Sequence, residues 1–174
     1  MFSTLSRVAL STIKYKFLKI RTPVVLSVSV TSRCNLKCVY CYSEEDNLTA
    51  KDVPIEKLIS TIDDFYELGT RVIMLQGGEP LLHKNICEII NYVKSKKMYC
   101  SVTTNSLNFE RYLDALIKVD QVQLSIDGNS EITDRYRGMG VYDSVASAAR
   151  LCYENKIPFH LHTVVTNTST IENT

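Results

Sequence analysis

The chain has 174 residues, 45% hydrophobic and 22% charged, with six Gly and four Pro, which suits one domain with a real core rather than two. Its net charge of +1 provides no overall basic footprint, so no nucleic-acid partner is expected. No run of about 18 apolar residues or secretory h-region is present, so no transmembrane segment is expected.

The charge is unevenly placed. Residues 1–43 hold seven Lys and Arg (Arg7, Lys14, Lys16, Lys19, Arg21, Arg33, Lys37) and no acid, leaving a net −6 over residues 44–174. Phe2, Leu5, Ala9, Ile13, Phe17 and Ile20 recur at helical spacing, so residues 1–22 are expected to be a basic amphipathic segment ahead of a core at 23–174. A transit peptide or an interfacial membrane helix would share that pattern. A helix covering one end of the domain is the favoured reading.

From there strand and helix alternate. Val24–Val30 predicts a strand. Pro54–Leu68 predicts a helix striped by Ile55, Leu58, Ile59, Ile62 and Phe65, with Asp52 as N-cap, Pro54 in the first turn and Gly69 as the stop. Arg71–Gln76, Tyr99–Thr104, Gln121–Ile126 and Phe159–Val165 predict four more strands. Asn85–Lys97, Phe109–Lys118 and Tyr142–Asn155 predict the helices between them. Right-handed βαβ units follow, and with them an α/β fold: a partial (βα) TIM-like barrel of about five units. The final TNTSTIENT has no closing element, so a chain truncated from a longer product is expected.

Strand faces add detail. Val24, Leu26, Val28 and Val30 share one face of the first strand, opposite Val25, Ser27 and Ser29. Val122, Leu124 and Ile126 oppose Gln121, Gln123, Ser125 and Asp127. Apolar faces turned to the helices would leave a polar-lined cavity inside. His160 and His162 share the inward parity with Val164, and structural or solvated histidines are the favoured reading.

The chemistry is carried by loops after strands, as expected if a site sits at the strands' carboxyl ends. Cys34, Cys38 and Cys41 fall within eight residues of the first loop, inside Thr31–Tyr42. Clustered Cys in a chain without a secretory signal read as metal ligands in a reduced, cytoplasmic compartment, and Cys87, Cys100 and Cys152 as buried small hydrophobes. Three thiolates leave one coordination position open on zinc or on a cluster. His83 is a possible fourth zinc donor. The second loop, Gln76-Gly77-Gly78-Glu79-Pro80, would let backbone approach a ligand closely and offer its amides and carbonyls. Taken alone, a tight strand-to-helix turn is the favoured reading of that loop.

Together these loops resemble the radical S-adenosylmethionine (SAM) enzymes. Cys34-Asn-Leu-Lys-Cys38-Val-Tyr-Cys41 matches the family's CxxxCxxC motif, Gly77-Gly78-Glu79-Pro80 its GGEP motif. Leu124–Gly128 (LSIDG) with Arg137-Gly138 is similar to the subgroup of peptide maturases and cofactor-biosynthesis enzymes that often carry a SPASM-type extension. The resemblance implies that Cys34, Cys38 and Cys41 ligate a [4Fe–4S] cluster and that SAM binds its open iron. It implies that Gly77, Gly78, Glu79 and Pro80 form the turn that holds the methionine amino group, that Ser125 and Asp127 lie at the ribose or carboxylate, and that Arg137 pairs with the carboxylate. Tyr40 would touch adenine and Asn105 would be a third-strand contact, although Ser106 stands where the family often has Gly. The implied activity is reductive cleavage of SAM to a 5′-deoxyadenosyl radical that abstracts hydrogen from a peptide or small-molecule precursor. A flavodoxin or ferredoxin would serve as reductant. The alternative is a catalytically inactive iron–sulfur or zinc-binding protein.

Overall fold

In the computed structural model, residues 21–41 and 51–165 are described, together with Ser6, Ala9, Ile13, Lys16 and Phe17. Those five are helical, with Ile13 and Phe17 exposed. The rest of the N-terminal helix expectation, Tyr42 and TNTSTIENT lie outside the described residues.

The elements run β1 (Val25–Thr31), α1 (Ile55–Glu67), β2 (Val72–Gly77), α2 (Ile86–Ser95), β3 (Tyr99–Thr104), α3 (Leu113–Leu116), β4 (Gln121–Ser125), α4 (Ser130–Arg137), α5 (Val141–Glu154) and β5 (Phe159–His162). All five strands are parallel, in the spatial order β1-β2-β3-β4-β5. Because every crossover steps to the next neighbour with the same hand, the helices gather on one face and the other stays uncovered. The molecule is thus a partial (βα) barrel. Val28, Val30, Ile73, Leu75, Cys100, Val102, Val122 and Leu124 turn outward and pack against Leu58, Ile62, Ile86, Ile89, Ile90, Val93, Leu116 and Val145. Burying each such side chain contributes about 2 kcal/mol. On the inner face Ser27 and Ser29 are exposed, while Gln123 donates to Ser101 Oγ at 3.3 Å and accepts from Thr103 Oγ1 at 3.2 Å.

Several local expectations are corrected. Asp52 does not cap α1: Pro54 holds the N-cap position, and the Asp52 carboxylate takes Arg33 Nε at 3.0 Å and Nη2 at 2.9 Å instead. The helix expected at Phe109–Lys118 is a 3-10 turn at Glu110–Tyr112 that leads into the single turn of α3. β5 stops at His162, short of Val165, and α4 was not foreseen. Cys87 is exposed, whereas Cys100 and Cys152 are buried as expected. Burial pushes the Cys100 thiol up to about 12.

Candidate cofactor site

The loop after β1 is fastened along its length. Thr31 Oγ1 accepts the Arg33 amide at 3.1 Å, and the Arg33 guanidinium ties the loop to Asp52 and to the Leu82 carbonyl. Further on, the Cys41 amide closes a turn onto the Cys38 carbonyl at 3.0 Å, and the Val39 amide reaches the Tyr136 carbonyl of α4 at 2.9 Å. The thiols of Cys34, Cys38 and Cys41 all line one cavity of about 320 Å³ at the carboxyl ends of the strands. Burial raises the pKa of Cys34 and Cys38 above the usual thiol range, with the Arg137 cation opposing it at Cys38. Among the described residues no three His, Cys, Asp or Glu side chains gather to hold a single metal ion. Three thiolates on one cavity would leave a coordination position open on zinc as on a cluster.

The fourth donor considered for zinc is already engaged. His83 is fully buried, accepts the Asn85 amide on Nδ1 at 3.1 Å and lies 2.9 Å from the Val53 carbonyl through Nε2. That pairing makes Nε2 the protonated nitrogen and leaves no lone pair for a metal.

The paired glycines answer a backbone, not a ligand. A Cβ on Gly77 would stand 2.1 Å from the Thr31 carbonyl oxygen, and one on Gly78 would stand 2.2 Å from that of Arg33. The Gly78 and Glu79 amides donate to those same oxygens at 2.8 Å each, so these two amides are not available to a ligand. With those amides paired, carbonyl oxygens are the backbone groups this turn has left to offer a ligand. Pro80 does not line the cavity; it begins a 3-10 turn.

Glu79 is 1% exposed, and three donors converge on its carboxylate: the Leu81 amide at 3.1 Å, Thr104 Oγ1 at 2.8 Å and the Asn105 amide at 2.7 Å. Burial outweighs them and pushes its pKa up to about 7. It therefore binds the end of β3 to the Gly-Gly turn. Asn105 is held in turn, Oδ1 accepting the Leu107 amide at 3.1 Å and Nδ2 donating to Asn35 Oδ1 at 2.8 Å. Nδ2 also lies 3.9 Å from Cys34 Sγ, a weak bond onto the thiol.

Tyr40, Gly77, Gly78, Glu79, Asn105, Ser125 and Arg137 line the cavity together with Gln76, whereas Asp127 does not. The Asp127 carboxylate is 1% exposed and grips Arg137 through Nε and Nη2, both at 2.8 Å. Arg137 is therefore an ion-pair partner before it is an anion receptor. The Tyr40 hydroxyl donates a hydrogen bond to the same carboxylate, and burial and that bond raise its pKa.

The expectations missed Leu36, Thr103, Thr104 and Val164 in the lining. Thr103 was within reach, since it shares its parity with Ser101 and the polar face of β4. His162 lines the cavity and His160 does not; both are exposed.

Residues 28–173 match the family model described as Radical SAM superfamily. Fe-coproporphyrin III synthase of Methanosarcina barkeri is 36% identical over 152 residues, covering 82% of this chain and 37% of the relative. The chain thus spans little more than a third of that protein. SuiB of Streptococcus suis, solved with its precursor peptide SuiA, superimposes with a TM-score of 0.77 at 20% identity over 95% of this chain and 38% of SuiB, a likeness of fold. The structure of anSMEcpe with bound AdoMet and the Cp18Cys peptide gives 0.68 at 27% identity, over 83% of this chain and 44% of anSMEcpe.

Proposed function

This chain belongs to the radical SAM superfamily, and from that premise we propose that Cys34, Cys38 and Cys41 ligate a [4Fe–4S] cluster beside a SAM-binding cavity. One observation carries the proposal. The three thiols share a single cavity with the Gly77–Gly78 turn, Asn105, Ser125 and Arg137, all at the carboxyl ends of parallel strands. A relative 27% identical has been seen with AdoMet bound.

When bound, the cluster would supply one-electron reduction of the SAM sulfonium, the source of the 5′-deoxyadenosyl radical chemistry that this reading implies. The chain's residues hold and shield. The carbonyl edge at Gln76–Gly78 receives the methionine ammonium, because the Gly78 and Glu79 amides are already paired. Ser125, buried on β4, presents a hydroxyl to the ribose or carboxylate end. Asn105 donates to the Cys34 sulfur, and hydrogen bonds to ligand sulfurs raise a cluster's potential. The substrate is a peptide or a small-molecule cofactor precursor, and a flavodoxin or ferredoxin is the reductant. No helix among the described residues is long and apolar enough to cross a membrane. Six free cysteines accord with a reducing cytoplasm.

Anaerobic reconstitution with iron and sulfide tests this. About four irons per chain are expected, with 5′-deoxyadenosine formed once dithionite and SAM are added. Cys38→Ala should abolish the cluster and Cys152→Ser should retain it. Zinc retained in place of iron, or a cluster indifferent to Cys38, overturns the proposal.

A further inference from the structure

Asp127 lies just past β4, outside the cavity, yet three separate segments meet on its carboxylate. Oδ1 accepts Arg137 Nη2 at 2.8 Å and the Val164 amide at 3.2 Å; Oδ2 accepts Arg137 Nε at 2.8 Å and the Tyr40 hydroxyl. The Asp127 amide donates to Thr133 Oγ1 at 3.3 Å, and that hydroxyl donates to the Gly128 carbonyl at 3.0 Å. The carboxylate is thereby fully engaged within the protein.

Tyr40 immediately precedes Cys41. Its neighbour Val39 is bound to Tyr136 of α4 at 2.9 Å, and the Tyr40 ring lies 6.2 Å from the Tyr136 ring and 5.6 Å from the Arg137 guanidinium. Both residues between Cys38 and Cys41 are therefore fastened to the segment from Asp127 to Arg137. We infer that Asp127 is a positioning residue, which through the Tyr40 hydroxyl fixes the Cys38–Cys41 turn against α4 before any cofactor binds. A turn fixed in advance places two thiols without the ordering cost that a free loop would carry. Arg137 grips the carboxylate and holds it aimed at Tyr40 through two 2.8 Å contacts. The tie stands on these contacts alone; only its consequence for cluster retention rests on the function proposed above.

Amide hydrogen exchange on the whole chain tests the inference, first without iron. Tyr40→Phe keeps the ring and its packing and removes only the tie. Exchange at Val39 and Cys41 should rise about tenfold, the change in a local opening equilibrium when one hydrogen bond to a charged group is lost. β1 to β4 should keep their protection. Asp127→Asn should raise the same amides, and combining it with Tyr40→Phe should add nothing further. After reconstitution, Tyr40→Phe should release iron to a chelator about tenfold faster than the unaltered chain. Unchanged exchange at Val39 and Cys41 in Tyr40→Phe, or an equal rise across the whole sheet, overturns the inference; unchanged iron release overturns its consequence for cluster retention. If Asp127→Asn fails to fold, Tyr40→Phe decides by itself. An unaltered chain that shows the expected exchange pattern yet takes up no iron sinks the proposed function and leaves the tie standing.

Discussion

Glu79 has a carboxyl group shut away from water with three protein donors aimed at it. An ordinary glutamic acid titrates near 4.5, and burial holds this one up to about 7. Below about pH 4.5 the folded and unfolded forms are both protonated and the group has no effect on stability. Between 4.5 and 7 the unfolded chain releases its proton while the folded chain retains it, so folding weakens as pH rises, by about 3 kcal/mol in total. In the protein free of iron, Glu79→Gln should flatten the fall of melting temperature with pH across that window. An unchanged slope would mean that the carboxylate is ionised in the fold. Ser106 makes a second point at this scale. It sits at φ +73 with its hydroxyl buried and unpartnered. Ser106→Gly removes both the left-handed strain and the orphaned hydroxyl, and should stabilise by about 1 kcal/mol, or 2–4 °C in melting temperature. The sequence marked Ser106 as a departure and Gly77–Gly78 as a place of close approach. It did not reveal that the approaching partner is the chain's own backbone at Thr31 and Arg33, because that meeting joins residues over forty apart.

At the scale of elements, strands and long helices were readable and connections were not. β1 to β4 and α1, α2 and α5 follow their expectations closely because each has an apolar face that must be buried. α4 has no such stripe. Thr133 and Arg137 are its buried residues, and it is anchored by polar contacts to the cysteine loop and to α5, where Asp134 accepts the Gly140 and Tyr142 amides at 2.9 Å each. Its signals were local ones: Asn129 accepts the Ile132 amide at 3.0 Å as N-cap, and Gly138 ends the helix at φ +128. Asp52 failed as a cap for the opposite reason, since a distant guanidinium competes for it more strongly than a nearby helix end. A helix without a hydrophobic face depends heavily on its cap. Asn129→Ala should therefore lower stability by about 1 kcal/mol. Because the Tyr136 carbonyl holds the Val39 amide, exchange at Val39 should rise along with exchange within α4. Unfolding by urea and amide exchange would measure the two effects, and a stability loss without the Val39 response would separate α4 from the cysteine loop.

Across the whole molecule, one sheet direction and one hand of crossover put the helices on a single face, which fills the outer core and leaves the inner face polar and open. Among the described residues, β1 and β5 have one neighbouring strand each, with β1 making a single further bridge from Thr31 to Asp52. β5 is the more exposed of the two. All four of its residues are accessible, and Leu161, on the outer face in register with Leu124, is 55% exposed beside Phe159 at 37%. An unpaired edge joined to an exposed apolar side chain is a template for pairing with another strand. The 174-residue chain by itself should accordingly associate at micromolar concentrations. Leu161→Lys places a charge on that edge without touching the cavity, which His162 lines from the opposite face. Light scattering coupled to gel filtration should then report the 19.7 kDa monomer, with iron uptake unchanged. An unaltered chain that is already monomeric would show that the edge is protected in solution. A Leu161→Lys chain that stays associated would move the contact elsewhere, with β1, where Val25 is 50% exposed, the next place to introduce a charge.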